Sequence, residues 1–124
     1  MNKIVVIVED TESVASALAM AIENIPGVRA VVAENSRAAL GFFTASNGSV
    51  AAVVTDLHLP YLDGFELIRE IRKLAAYRTL PAIMITADEG VDLGNGTAAE
   101  RPNAIFQKPF SLKEVCRVLE ELLQ

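Results

Sequence analysis

The sequence holds one cysteine, Cys116, and one histidine, His58, among 124 residues. A lone cysteine excludes an internal disulfide, and together the two cannot build a zinc site, which needs several such ligands. Cys116 lies among leucines and valines, the setting of a buried thiol in a reducing cytosol. No apolar run approaches the roughly 20 residues of a membrane span. The N-terminal Met-Asn-Lys runs straight into a strand pattern with no signal peptide, so a cytoplasmic protein is expected, with no membrane partner. Net charge is −5 and no basic cluster is present, which argues against direct nucleic-acid binding by this chain. Repeats, linkers and low-complexity tracts are also lacking, and the length suits a single domain over residues 1–124.

What is present is a core. Hydrophobic residues make up 52% of the chain, and a domain of this size buries roughly two-thirds of its unfolded surface. Lys3 to Glu9 is a continuous apolar, β-branched run, as in a strand covered on both faces. From Thr11, Val14, Leu18, Ala21, Ile22 and Ile25 recur at helical spacing until Pro26-Gly27. Val28 to Ala33 reads as a second strand. Ser36 is placed to cap a helix carrying Ala39, Leu40 and Phe43 that ends near Asn47-Gly48. Val50 to Val54 is a third strand, followed by a polar, proline-containing loop. A helix from about Gly64 to Ala76 has Phe65, Leu67, Ile68, Ile71 and Leu74 on its apolar side. Ala82 to Ile85 and Ala104 to Gln107 are the fourth and fifth strands. A last helix starts at Ser111, with Glu114 completing a capping box and Leu112, Val115, Leu119 and Leu122 forming its stripe. Strands and helices alternate, which implies a parallel sheet with helices on both faces.

Sites in such sheets gather beyond the carboxyl ends of the strands. The first strand ends at Glu9-Asp10, the third at Thr55-Asp56, the fourth at Thr86-Ala87, and the fifth runs into Lys108-Pro109. Singly, each is ordinary: a solvated carboxylate, a packing threonine, a surface lysine. Together they deliver three carboxylates, a hydroxyl and an ammonium to one sheet edge. Three close carboxylates repel unless a hard cation neutralises them, and an all-oxygen set suits Mg²⁺. Thr86 and Lys108 are suited to phosphoryl oxygens. A carboxylate facing these groups could attack a phosphoryl group and carry it as an acyl phosphate.

The motifs VIVEDTESV, TDLHLPYLDGFELIREIRK, IMITA and FQKPF occur in that order, and with them the chain resembles a response regulator receiver domain of the CheY-like superfamily. AENSRAAL resembles the same family's second strand and helix start. The resemblance implies a flavodoxin-like, doubly wound α/β fold with a five-stranded parallel sheet in the order 2-1-3-4-5. It implies phosphorylation of Asp56 from the phosphohistidine of a histidine kinase or a phosphotransfer protein. It implies Mg²⁺ on Asp10, Asp56 and the main-chain carbonyl of His58, with Glu9 assisting. Thr86, the Ala87 amide and Lys108 would contact the phosphoryl group, and the domain would promote its own phosphorylation and dephosphorylation. Pro60, Asp63 and Gly64 would shape the loop. The Lys108–Pro109 peptide is expected to be cis. Phosphorylation would draw Thr86 inward and change the surface beside the fifth strand, and so switch the binding of a downstream partner or fused output domain.

Three features depart from the family pattern. The family's switch aromatic sits three residues before the lysine, where this chain has Ile105. Phe106 follows it and should turn to the opposite side, into the core. Residues 88–102, where the family has a helix, contain Gly90, Gly94 and Gly96 and end at Pro102, so that helix is expected to be short, displaced or absent, and mobile. The segment is either a poor helix or a partner-binding element. His58 overhangs the acceptor and faces Asp88, which leaves either an ion pair or a solvated imidazole.

Other functions fit less well. A phosphorylation-independent binding module of the same fold would be expected to lose an acidic residue or the lysine, and none is lost. A haloacid-dehalogenase-like phosphatase wants an aspartate two residues after the nucleophile, where His58 stands. A flavin carrier needs a phosphate-binding loop after the first strand, where EDTES places carboxylates.

Overall fold

The computed structural model describes residues 2–91 and 97–124. Its elements are β1 (Lys3–Val8), α1 (Glu12–Glu23), β2 (Val28–Ala33), α2 (Ser36–Ser46), β3 (Val50–Asp56), α3 (Gly64–Lys73), β4 (Ala82–Thr86), β5 (Ala104–Gln107) and α4 (Leu112–Leu122). All five strands are parallel, in the order β2-β1-β3-β4-β5, as expected. The central strands are buried on both faces, which is why they read as apolar runs without alternation.

Strand alternation divides the core in two. Val6, Val8, Val53 and Met84 point toward α2 and α3, where they pack with Phe43, Leu67, Ile68 and Ile71. Val5, Ile7, Val54, Ile83 and Ile85 point the other way, onto Leu18 and Ile22 of α1 and Val115 and Leu119 of α4. A one-residue slip of any central strand would exchange these sets, so the register is fixed by packing as well as by hydrogen bonds. Ile105 and Phe106 separate as alternation requires. Ile105 packs on the α2–α3 side with Val91, and Phe106 on the α1–α4 side. Phe106 is only partly buried there.

Several local expectations need correction. Ser36 is not the cap of α2: Asn35 is, its side chain accepting from the Ala38 N–H at 2.8 Å, which leaves the Ser36 hydroxyl free for another task. The full capping box belongs to α3, where Asp63 accepts from the Glu66 N–H and Glu66 accepts from the Asp63 N–H. At α4 only half of the box forms. Ser111 accepts from the Glu114 N–H, while the Glu114 carboxylate turns outward to Arg117. Helix α3 stops at Lys73 rather than Ala76, because Leu74 is extended and the chain re-enters a 3-10 turn at Ala75–Tyr77. Strands β3 and β4 reach Asp56 and Thr86, so the polar groups at their ends are held by the sheet itself.

Between β4 and β5 the described residues contain no α-helix, only a 3-10 turn at Ala98–Glu100 capped by Thr97. Glu100 Oε1 accepts from both the Thr97 N–H at 3.2 Å and the Thr97 hydroxyl at 3.0 Å across it. The expectation of mobility covers residues 88–102, of which 92–96 lie outside the described residues.

Candidate phosphoacceptor site

Adjacent parallel strands bring their carboxyl ends together, so residues far apart in sequence meet at one edge. Glu9, Asp10 and Asp56 each present a carboxylate oxygen within 4.8 Å of the others. Glu9 is buried at 2% exposure and Asp56 at 7%, while Asp10 is exposed at the mouth. Lys108 reaches between them. Its Nζ donates to Glu9 Oε1 at 3.0 Å and to Asp56 Oδ2 at 3.3 Å. The second Glu9 oxygen accepts from the Thr11 N–H at 3.1 Å. The Lys108–Pro109 peptide is cis, as expected.

The electrostatics follow from burial. Desolvation pushes the Glu9 carboxyl above its ordinary pKa, against the opposing pull of the Thr11 and Lys108 hydrogen bonds, and the Asp56 charge pushes it further up. Burial also works against the Lys108 ammonium, but its Glu9 hydrogen bond and the Asp56 charge outweigh this, and its pKa lies above the usual value. The cluster is therefore short of positive charge, and one ammonium serves two buried carboxylates. Hard oxygen donors, crowded and partly desolvated, suit a small divalent cation. The donor set fits Mg²⁺.

Of the remaining expected residues, Thr86, Ala87 and His58 stand at the same carboxyl edge of the sheet. Thr86 is buried at the end of β4, and its Oγ1 accepts from the Asp88 N–H at 3.0 Å, leaving the hydroxyl proton to donate elsewhere. Ala87 follows on an exposed turn. His58 and Asp88 do form a pair, with Nε2 2.6 Å from Oδ2, joining the loops that follow β3 and β4. The Asp88 hydrogen bond holds the imidazole above its ordinary pKa, although both side chains remain largely exposed. Ile105 lies away from the carboxylates, against the α2–α3 core.

Two further residues support the site: Gly64, expected to shape the loop, and Ser36, whose role here carries no obvious signal in the sequence. The Ser36 hydroxyl donates to the Pro60 carbonyl at 2.7 Å and accepts from the Leu62 N–H at 2.9 Å, pinning the loop that follows Asp56 onto the start of α2. The one hint was Asn35: a good cap immediately before a serine leaves that serine without a capping role. Gly64 lies against the acceptor strand. A Cβ there would meet the Asp56 carbonyl oxygen at 2.6 Å and the Met84 Cε at 2.9 Å. Only glycine lets α3 begin this close to Asp56.

Residues 5–120 match the family described as the response regulator receiver domain, and the chain belongs to that family. It is 31% identical over 121 residues to the sensory transduction protein RegX3 of Mycobacterium tuberculosis, aligning over 97% of this chain and 50% of RegX3. The receiver domain of the sensor histidine kinase PA1611 of Pseudomonas aeruginosa superposes with a TM-score of 0.80 at 25% identity, covering 99% of this chain and 98% of the other. That domain holds a magnesium ion coordinated in its active-site cleft. The chemotaxis response regulator CheY4 of Vibrio cholerae shares the fold, with a TM-score of 0.84 at 21% identity over 99% of this chain and all of its own. The chain is thus a receiver domain of two-component signalling, a class of phosphorylatable switches rather than enzymes acting on a separate substrate. Among the described residues, no helix is long and apolar enough to cross a membrane.

Proposed function

We propose that Asp56 accepts a phosphoryl group from the phosphohistidine of a histidine kinase or phosphotransfer protein, and that residues 1–124 act as one cytoplasmic receiver unit whose partner binding changes in response. The observation that carries this reading is Lys108, whose ammonium lies 3.0 Å from Glu9 and 3.3 Å from Asp56 at a carboxylate cluster short of positive charge.

In the transfer, an Asp56 carboxylate oxygen forms a bond to phosphorus as the phosphorus–nitrogen bond of the donor breaks, and the donor imidazole leaves with its electron pair. The Lys108 ammonium, the Thr86 hydroxyl and the Ala87 N–H donate to the phosphoryl oxygens. Glu9, Asp10, Asp56 and the His58 main-chain carbonyl would hold Mg²⁺, which when bound neutralises the carboxylates and the charge on the phosphoryl oxygens. Movement of Thr86 toward the phosphoryl group takes its Oγ1 away from the Asp88 N–H and loosens the loop that also carries the His58 pair. With Ile105 in place of an aromatic, the packing change beside β5 involves an aliphatic side chain rather than a ring.

Incubation with acetyl phosphate and Mg²⁺ followed by intact mass measurement tests the reading. The wild-type chain should gain one phosphoryl unit and Asp56→Asn none. An unchanged wild-type mass, with a beryllofluoride titration also silent, would refute it.

A further inference from the structure

The opposite end of the sheet has a different chemistry. Five of the 11 Lys and Arg residues, Arg69, Arg72, Lys73, Arg78 and Arg101, fall between the second half of α3 and the turn before β5. Arg69 and Lys73 pair with Glu70 and Glu100. For Arg72, Arg78 and Arg101, no carboxylate lies within salt-bridge distance among the described residues.

Arg72 is the unusual member. Its guanidinium is half-buried and, among the described residues, donates only to neutral oxygens: the Leu80 carbonyl at 2.9 Å, the Arg101 carbonyl at 2.6 Å, the Ala99 carbonyl at 3.4 Å and Asn103 Oδ1 at 3.2 Å. These bonds satisfy its protons but bring no negative charge. Desolvation accordingly lowers its pKa below the usual arginine value. A partly desolvated cation without a counter-charge leaves a positive potential that an anion would relieve.

That potential opens into a groove of about 510 Å³ whose lining includes Arg72, Arg78, Arg101 and Thr79, with Ala98 and Pro102 on its apolar side. The volume falls within the range of about 300–1,000 Å³ typical of small-molecule sites. Guanidinium forks match pairs of phosphate oxygens. The two exposed guanidinium groups of Arg78 and Arg101 and the Thr79 hydroxyl also offer more donors than one carboxylate can accept. A nucleic-acid backbone is disfavoured, since the chain outside this patch is strongly acidic and would repel it.

We propose that this groove is a second ligand site, which binds a phosphorylated small molecule of nucleotide size. Its phosphates lie between Arg78, Arg101 and Thr79, and its organic part lies against Ala98 and Pro102. The site is at the amino ends of β4 and β5, a strand's length, roughly 16 Å, from the carboxylate cluster, and it does not depend on phosphoryl transfer at Asp56.

The test is a titration of the ¹⁵N-labelled chain with ADP at low ionic strength in EDTA, so that no divalent ion bridges the nucleotide to the carboxylates. Saturable shifts should be confined to the amides around Arg72, Thr79 and residues 98–103. Arg78→Ala combined with Arg101→Ala should weaken binding by about tenfold or more. Both residues are exposed, and an otherwise unchanged spectrum confirms that the variant folds. Asp56→Asn should bind as the wild type does. The proposal is overturned by absence of saturable shifts up to about 5 mM ADP, or by equal affinity in the double variant. A poly-glutamate peptide that binds as tightly would overturn the phosphate assignment, and inorganic phosphate that binds as tightly would remove the role of the apolar side.

Discussion

The two ends of the sheet handle buried charge in opposite ways. At the carboxyl end, Glu9 and Asp56 are buried carboxylates that share a single ammonium. At the amino end, Arg72 is a half-buried guanidinium held by carbonyl and amide oxygens, with no carboxylate in contact among the described residues. Glu9, Asp56 and Arg72 all have hydrogen-bond partners, yet charge is left uncompensated, negative at one end and positive at the other. Full hydrogen bonding stabilises the fold, whereas uncompensated charge prepares a site for an ion of the opposite sign.

The comparison can be broken by substitutions at either end. Gly64→Ala should have the largest effect, because its Cβ would meet the Asp56 carbonyl at 2.6 Å, against backbone that cannot swing away. A loss of roughly 3 kcal/mol or more is expected in chemical denaturation, and wild-type stability would mean that α3 moves away from Asp56 at little cost. Arg72→Ala should cost about 2 kcal/mol, since it strips a charged donor from four oxygens, one just before β4 and three in the segment before β5, that it ties to α3. A loss under about 0.5 kcal/mol would show that these bonds are replaced by water without penalty.

Glu9→Gln should act with the opposite sign. The Glu9 pKa is raised, so its surroundings disfavour the charged form on balance despite Lys108. Its contribution to stability is present below the unfolded pKa of about 4.3 and is lost as pH rises through the folded value, so at neutral pH the ionised side chain is a net cost. In metal-free protein at neutral pH the neutral isostere should stabilise by about 1 kcal/mol, a few degrees in Tm, while weakening Mg²⁺ binding. A fall in Tm would mean that the Lys108 pair outweighs desolvation. The smallest effect belongs to the exposed pair: Asp88→Asn should bring the His58 pKa down toward its ordinary value in an NMR titration, because the carboxylate that raises it is gone. No change would show that the pair does not persist in solution.

The carboxylate end was legible in the sequence because its chemistry rides on residue type at strand ends. Glu9, Asp10, Asp56, Thr86 and Lys108 needed only the parallel topology to bring them together. The arginine end was not legible, because Arg72 works through bonds to main-chain carbonyls, and which carbonyls it meets depends on the path of the chain from α3 to β5. Ser36 was misplaced for a related reason. Local rules made it a cap, but Asn35 takes that role and Ser36 is claimed by the Pro60 loop 24 residues away. The lack of an α-helix among the described residues between β4 and β5 was anticipated from the glycines of that segment, whereas the hydrogen bonds between Thr97 and Glu100 were not.

The central claim is that the charge-deficient carboxylate cluster accepts a phosphoryl group at Asp56. The most direct measurement is borohydride reduction of the chain after incubation with acetyl phosphate and Mg²⁺, followed by peptide mass mapping. An acyl phosphate is reduced to the alcohol, so the account predicts homoserine at position 56 alone, and none when Mg²⁺ is withheld. Reduction at Glu9 or Asp10 instead, or no reduced residue with Mg²⁺ present, would contradict it.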